Sequence, residues 1–147
     1  MKKTLLLSVV LMALVFNMNA QEYKIVTVIE SIIPMGLGRS RILEHTQPVN
    51  YQDFTTARTG GKDSDQGDIK RGDAKIDALE ETKLLNFFSG VGINFQNIAS
   101  NDALISSKIN TMVKTGWKLE FVTSAVESVG SKDDNNGIFI TRLIFKK

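Results

Sequence analysis

The sequence contains no cysteine and only one histidine, His45. Without cysteine the chain can form neither a disulfide nor a thiolate metal site, so its stability must come from the packing of apolar side chains. A zinc site needs several converging histidine, cysteine or carboxylate ligands, and a single histidine does not supply them. We therefore predict that the protein uses no metal and no cofactor.

An excess of positive charge is also lacking. The 18 basic residues include Lys2 and Lys3, so that 16 basic residues remain in the rest of the chain, against 16 acidic residues. Nucleic acids and anionic membrane surfaces are bound through clustered positive charge. The balance of charge therefore predicts that the protein has no nucleic-acid partner.

Long apolar runs are confined to the start of the chain. Residues 5–16 are almost entirely apolar, follow two lysines and precede a short polar stretch that ends at Ala20. This pattern is typical of a secretory signal peptide, and the run is too short for a transmembrane helix, which needs about 20 residues. We predict a signal peptide at residues 1–20, cleaved between Ala20 and Gln21. The remaining residues, 21–147, then form one exported domain, periplasmic or secreted, without a transmembrane segment.

A strand pattern opens this domain. Residues 22–33 carry apolar side chains at both odd and even positions, which predicts a strand that is covered on both faces in the interior of a sheet. Pro34, Gly36 and Gly38 then favour a turn. We expect residues 39–43 to return as the second strand of a hairpin.

The composition changes in the middle of the chain. Residues 45–77 contain glycines and charged residues and almost no aliphatic side chains, which predicts a long polar surface loop with the composition of a disordered segment. Residues 78–88 place leucines and Phe88 at near-helical spacing, which favours a short helix. A strand over residues 84–88 fits almost as well, so both alternatives stay open.

The clearest helix pattern follows this region. The helix is expected to begin at Ser100 or Asn101, whose side-chain oxygen can accept an unpaired N–H, and to end at Gly116. Lys108 lies inside the apolar arc and would have to extend its amine toward water. The apolar positions of the arc are Leu104, Ile105, Ile109, Met112 and Val113.

A hairpin is predicted after the helix. One strand begins at Trp117, a polar turn follows, and residues 138–145 form the return strand of β-branched and aromatic residues. The apolar arc of the helix can lie along these strands. The sequence therefore predicts an α+β fold with a small, mainly antiparallel sheet, one main helix packed on it and a long inserted loop.

Three short motifs stand at the ends of these elements: Tyr23-Lys24, Gly116-Trp117-x-Leu119 and Phe145-Lys146-Lys147. In these motifs the chain resembles an uncharacterised domain-of-unknown-function family of short bacterial β-α-β-β proteins. The resemblance implies a sheet with one helix packed on it, and it implies no catalytic residue. The chain departs from the family in the long segment between its first strand and its helix, and in Lys118, where the family tends to carry an acid.

Catalytic patterns are incomplete. Ser40 lacks the second glycine of a nucleophile elbow, and the only imidazole is five residues away at His45. The acidic residues 63–68 do not keep the ligand spacing of a calcium loop. Glu30 and Glu44 flank the first hairpin, and because glycoside hydrolysis needs only two carboxylates, they support an alternative reading of the protein as a carboxylate-based hydrolase of the cell envelope.

The segment best suited to a ligand is residues 36–41. Gly36 and Gly38 allow backbone N–H groups to turn toward one point, and the guanidinium groups of Arg39 and Arg41 suit a carboxylate or phosphate. We predict that an anionic ligand, if the protein has one, binds to these four residues. The alternative is an ordinary turn whose arginines are solvated or form ion pairs near Glu30 and Glu44.

The sequence thus favours an exported, non-enzymatic binding or interaction module for an unknown protein or a small anionic ligand. Besides the hydrolase, a third hypothesis is a structural role, in which the first or the last strand pairs with an edge strand of another chain.

Overall fold

A computed structural model describes residues 21–31, 39–61, 64–127 and 137–147, and it confirms the α+β class with one main helix and a mainly antiparallel sheet. The predicted signal peptide, residues 1–20, lies outside the described residues. Two short 3-10 helices cover Tyr51–Phe54 and Asp65–Asp68. The other elements are β1 (Tyr23–Ser31), β2 (Arg41–His45), β3 (Leu79–Lys83), β4 (Phe88–Ser89), β5 (Gly92–Ile93), α1 (Phe95–Lys114), β6 (Lys118–Glu127) and β7 (Ile138–Lys146).

The main sheet has the strand order β3-β2-β1-β7-β6, and every neighbouring pair is antiparallel. β1 has a neighbouring strand on each side, as predicted for an interior strand. The expectation that both of its faces are covered is wrong, because Tyr23 and Ile25 on one face are 55% and 42% exposed. The hypothesis that the first or last strand pairs with another chain is wrong for these strands, because β1 and β7 each have a neighbour on both sides. The edges of the sheet are β3 and β6.

The core lies between α1 and one face of the sheet, which we call the inner face. Successive side chains of a strand point to opposite faces, so that Val26 and Val28 of β1 and Leu143 and Phe145 of β7 all point inward and are buried. Met112 of α1 is buried against them, and Ile105, Ile109, Trp117 and Leu119 pack around the cluster. Burying each such side chain stabilises the fold by about 1.5–3 kcal/mol.

The helix begins earlier than predicted. Its first residue is Phe95, and the side chain of Asn94 caps it by accepting a hydrogen bond from the backbone N–H of Asn97 at 3.1 Å. The predicted start at Ser100 or Asn101 is wrong. Several residues in this region can cap a helix, and which of them forms the cap depends on tertiary contacts. The predicted end at Gly116 is confirmed by its positive φ of 91°.

The apolar arc of the helix is narrower than its sequence indicated. Ile105, Ile109 and Met112 face the sheet, whereas Leu104 and Val113 remain 41% and 53% exposed. A single helix on a twisted sheet covers only a stripe, so the margins of the arc stay in water.

Residues 79–83 form the strand β3, and residues 84–87 belong to no helix or strand. Both alternatives are therefore wrong: the favoured helix over residues 78–88 and the strand over residues 84–88. β3 pairs with β2, and all five of its residues are exposed. The pairing of β2 with β3 depends on contacts between distant parts of the chain. It continues past β3, where the backbone N–H of Leu84 donates to the carbonyl of Ser40 at 3.0 Å. The polar segment 45–77 leaves β2 and returns to β3 where the N–H of Thr46 donates to Ala78 O at 3.0 Å.

Within the described residues, no helix combines the length and the apolar character needed to cross a membrane.

Candidate functional site

Two of the four residues predicted to bind an anion lie at one corner of the sheet, on the face opposite α1. We call this face the outer face. Arg41 points to it because its neighbour Ile42 is buried on the inner face. Lys83 of β3 is the cross-strand partner of Arg41, so both side chains point to the same face. Gly36 and Gly38 lie outside the described residues.

A cavity of about 240 Å³ opens at this corner, and we call it the basic cavity. Arg39, Arg41 and Lys83 bring three cationic side chains to it, and Glu81 brings one carboxylate. Ser40 and Leu84 complete its lining. The structure therefore adds Lys83 and Glu81 to the predicted site and gives it an excess of positive charge.

Arg41 is held in place by two contacts. Its Nη1 donates to Glu81 Oε1 at 2.6 Å, and its Nε donates to the carbonyl of Arg39 at 3.3 Å. The sequence alternative placed the ion-pair partners of these arginines at Glu30 and Glu44, and that placement is wrong for Arg41. Since neither contact uses Nη2, this nitrogen can donate to a ligand in the cavity.

The backbone between the two arginines is fixed from the inner face. The hydroxyl of Ser40 is buried, accepts from the backbone N–H of Ser31 at 2.8 Å and donates to Asn86 Oδ1 at 2.7 Å. These bonds tie the end of β1 to the start of β2. The same bonds give Ser40 a structural role. Ser40, just before β2, points to the inner face, whereas His45 at the end of β2 points to the outer face, so they do not form a nucleophile and base.

Two asparagines of α1 bind the segment that follows β3. Asn101 is fully buried, accepts from the backbone N–H of Leu85 at 2.8 Å and donates to the carbonyl of the same residue at 2.7 Å. Asn97 Nδ2 donates to the carbonyl of Asn86 at 2.8 Å. The prediction that Asn101 caps the helix is wrong. Asn101 lies four residues before Ile105, which faces the sheet, and this spacing is the signal that could have identified Asn101 as a buried hydrogen-bonding residue.

Glu30 and Glu44 both lie on the inner face, beneath α1. Asn101 Nδ2 donates to Glu30 Oε1 at 3.0 Å. Burial raises the pKa of Glu30 above its ordinary value, the bond from Asn101 opposes this shift, and the nearby charge of Asp102 adds to it.

Glu44 is the centre of a buried ionic cluster with Lys24 of β1 and Lys108 of α1. Burial raises the pKa of Glu44, but hydrogen bonds and charge from Lys108 and Lys24 outweigh it and hold the pKa below its ordinary value. Lys108 was predicted to extend its amine toward water, and this is wrong because Glu44 binds it at the inner face. The cluster carries two positive charges and one negative charge.

The arrangement of the two carboxylates does not support the hydrolase alternative. Glu44 of β2 lies opposite Val26 of β1. Val26 is four residues before Glu30, so Glu30 and Glu44 are separated by about 13 Å along the strand direction. Their partners Asn101 and Lys108 are two helical turns apart, or about 10 Å. Both carboxylates are engaged by these partners under the helix rather than turned toward a shared cleft.

A second cavity lies on the outer face, beside the basic cavity. Its volume is about 250 Å³, and we call it the apolar cavity because four aliphatic side chains line it: Ile25, Leu43, Ile76 and Leu79. The rest of its lining is Thr27, His45 and Glu44. Because the side chain of Glu44 points to the inner face, Glu44 meets this cavity through its backbone.

The described residues contain no group of three or more histidine, cysteine, aspartate or glutamate side chains that could hold a metal ion. The family resemblance of the three short motifs stays a prediction. Comparisons of the chain with protein-family models, with curated proteins and with solved structures return no match.

Proposed function

We propose that this protein is an exported, non-enzymatic binding module that takes a small ligand bearing a carboxylate or a phosphate in the basic cavity. The observation that carries the proposal is the convergence of Arg39, Arg41 and Lys83 on one cavity, to which the described residues add a single carboxylate, Glu81. A guanidinium presents forked N–H donors that match the two oxygens of a carboxylate or phosphate, and an ammonium adds a compact charge.

Glu81 prepares this site for its ligand. By accepting from Nη1 it fixes the orientation of the Arg41 guanidinium, so less side-chain freedom is lost when a ligand binds. One carboxylate does not neutralise three cations, and a dianion would restore the balance of charge. We therefore expect phosphate to bind more tightly than acetate.

The first experiment measures thermal unfolding of residues 21–147 in the presence of inorganic phosphate and of acetate. A ligand at a hundredfold excess over its Kd stabilises the native state by about 2.7 kcal/mol, which is a readily measured shift of Tm. The double variant Arg41→Gln with Lys83→Gln should lose this shift. High salt should also reduce it, because the screening length falls to about 3 Å at 1 M ionic strength.

The matched control removes two positive charges elsewhere. Lys70 and Arg71 are exposed and lie in the polar segment, outside the cavity, so the double variant Lys70→Gln with Arg71→Gln should respond to phosphate as the wild type does. If phosphate raises the Tm of neither the wild type nor the control variant, the anion site does not exist. The same conclusion follows if phosphate raises the Tm of the cavity variant as much as that of the control.

We propose the pairing of edge strands at β6 as a second candidate function. β6 pairs only with β7 among the described strands, and its exposed apolar side chains project from alternate faces. Phe121, Val122 and Val126 are 64%, 55% and 60% exposed. An edge of this kind can add a strand from another chain, here a second copy in antiparallel orientation.

Sedimentation velocity over a range of protein concentrations tests this second function. The wild type should form a dimer as its concentration rises, and the variant Val122→Lys should remain a monomer, since charged side chains block edge pairing. A wild type that sediments as a monomer at every concentration would exclude it.

A further inference from the structure

We infer that the ligand is a single-chain amphiphile, an alkyl carboxylate or alkyl phosphate, whose head binds in the basic cavity and whose tail lies in the apolar cavity. This inference rests on the proposed function and adds the chemical class of the ligand. Its basis is the position of the two cavities on the outer face of the same strands.

The two cavities meet at one cross-strand pair. Leu43 of β2 lies opposite Glu81 of β3, and Leu43 lines the apolar cavity while Glu81 lines the basic cavity. Arg41 and Leu43 are successive outward positions of β2, about 7 Å apart. A head bound by Arg41 therefore places the first carbons of its tail next to Leu43.

Apolar side chains continue from this point away from the charges. Ile25, Ile76 and Leu79 line the apolar cavity and are 42%, 41% and 46% exposed, so a tail would remove apolar surface of three side chains from water. From Arg41 to His45, which lines the far side of the cavity, the strand spans about 13 Å. This length suits a tail of medium length rather than a second small anion.

The charges of the outer face favour a free amphiphile over a membrane surface. The central row of this face runs from Glu81 through Leu43 and Thr27 to Arg142 of β7, and Arg142 is exposed. Inserting this face into a bilayer, or stacking it against a second copy, would take both charged side chains out of water. A single tail in the apolar cavity leaves them in solvent.

Isothermal titration calorimetry with acetate, hexanoate and decanoate, the last kept below its micelle concentration, tests the inference. Full burial of one methylene strengthens binding about fourfold, and an open cavity that buries it in part should give about twofold for each added carbon. We therefore expect decanoate to bind the wild type at least a hundredfold more tightly than acetate.

Two variants separate the head from the tail. Leu79→Gln changes an exposed edge-strand residue of the apolar cavity. In this variant the affinity should rise less with each added carbon, while the affinity for acetate should stay unchanged. Arg41→Gln with Lys83→Gln should weaken all three carboxylates. The control Val113→Gln changes an exposed apolar residue of α1 and should bind the series as the wild type does.

The outcomes distinguish the inference from the function on which it rests. If phosphate and acetate bind but the affinity does not rise with chain length, the amphiphile is wrong and the anion site stands. If no carboxylate or phosphate binds, both fail. Binding to vesicles of equimolar phosphatidylcholine and phosphatidylglycerol without binding of decanoate would assign the face to a membrane. A dimer that Leu79→Gln dissociates, in a protein that does not bind decanoate, would assign it to a second copy.

Discussion

Replacing Glu44 by Gln should destabilise the protein by about 3 kcal/mol. The carboxylate is buried and pairs with Lys24 and Lys108, whose side chains are themselves largely covered. The variant keeps the size of the side chain but leaves two neighbouring ammonium groups without their counter-charge. Removing one member of a buried ionic cluster costs about 3–5 kcal/mol, and the partial exposure of the two lysines places this case at the low end.

Urea unfolding of residues 21–147 measures this loss. With an m value of about 1–3 kcal/mol/M, a loss of 3 kcal/mol lowers the midpoint by roughly 1–3 M. The control is Glu80→Gln on β3, because Glu80 lies directly opposite Glu44 but is exposed. This control should change the stability by less than about 0.5 kcal/mol.

A third variant tests the mechanism rather than the position. Replacing Lys24, Glu44 and Lys108 together by Met removes the whole cluster, and apolar replacement of a buried ionic cluster is often neutral or stabilising. The triple variant should therefore unfold at a higher urea concentration than Glu44→Gln. If Glu44→Gln has the midpoint of the wild type, or if the triple variant is the less stable of the two, the reasoning from unpaired buried charge is refuted.

The same cluster sets a pH dependence. The pKa of Glu44 is lowered in the folded state, so its contribution to the free energy of unfolding is complete above the pKa of the unfolded chain and is lost as the pH falls through the folded pKa. The difference in stability between the wild type and Glu44→Gln should accordingly shrink as the pH falls below about 4.3, the unperturbed value for glutamate.

Three further predictions concern stability. Glu30 has a raised pKa in the folded state, so its ionisation opposes folding as the pH rises through that pKa. Glu30→Gln, which keeps the acceptor oxygen, should therefore be as stable as the wild type or more so at pH 7. Urea unfolding at pH 4 and 7 should show that this difference in stability is smaller at the lower pH. Asn101→Ala leaves two backbone groups without their partner and should cost about 3 kcal/mol, whereas the exposed Asn110→Ala should cost less than about 0.5 kcal/mol in the same assay. Phe145→Ala should lower the stability by about 3–5 kcal/mol, and equal losses in Phe145→Ala and the exposed Phe121→Ala would contradict the position of the core.

Much of the fold was predictable because its signals are local. The apolar residues on both faces of β1 indicated an interior strand, Gly116 indicated the end of the helix, and the strand pattern after Trp117 indicated the final hairpin. Each of these signals acts through neighbouring residues, by side-chain alternation or by backbone conformation, and so it can be detected without knowledge of the tertiary structure.

The candidate site was predictable only in part. Arg39 and Arg41 carry a recognisable chemistry two positions apart, but Lys83 and Glu81 belong to a segment whose leucine spacing favours a helix. Their position beside Arg41 depends on the pairing of β2 with β3. That pairing joins residues about 40 positions apart, and β3 has no buried side chain whose periodicity could have revealed it.

The sequence by itself determined the interior position of β1, the end of the main helix and the α+β class, because these depend on which residues follow one another. Only the tertiary structure decided which charges are buried and which face a cavity. Glu44 and Arg41 lie three residues apart on one short strand, yet Glu44 points to the helix and pairs with two lysines, while Arg41 points to the outer face and lines the basic cavity. The physical reason is that a strand alternates its faces locally, but the partner that covers each face comes from a distant part of the chain.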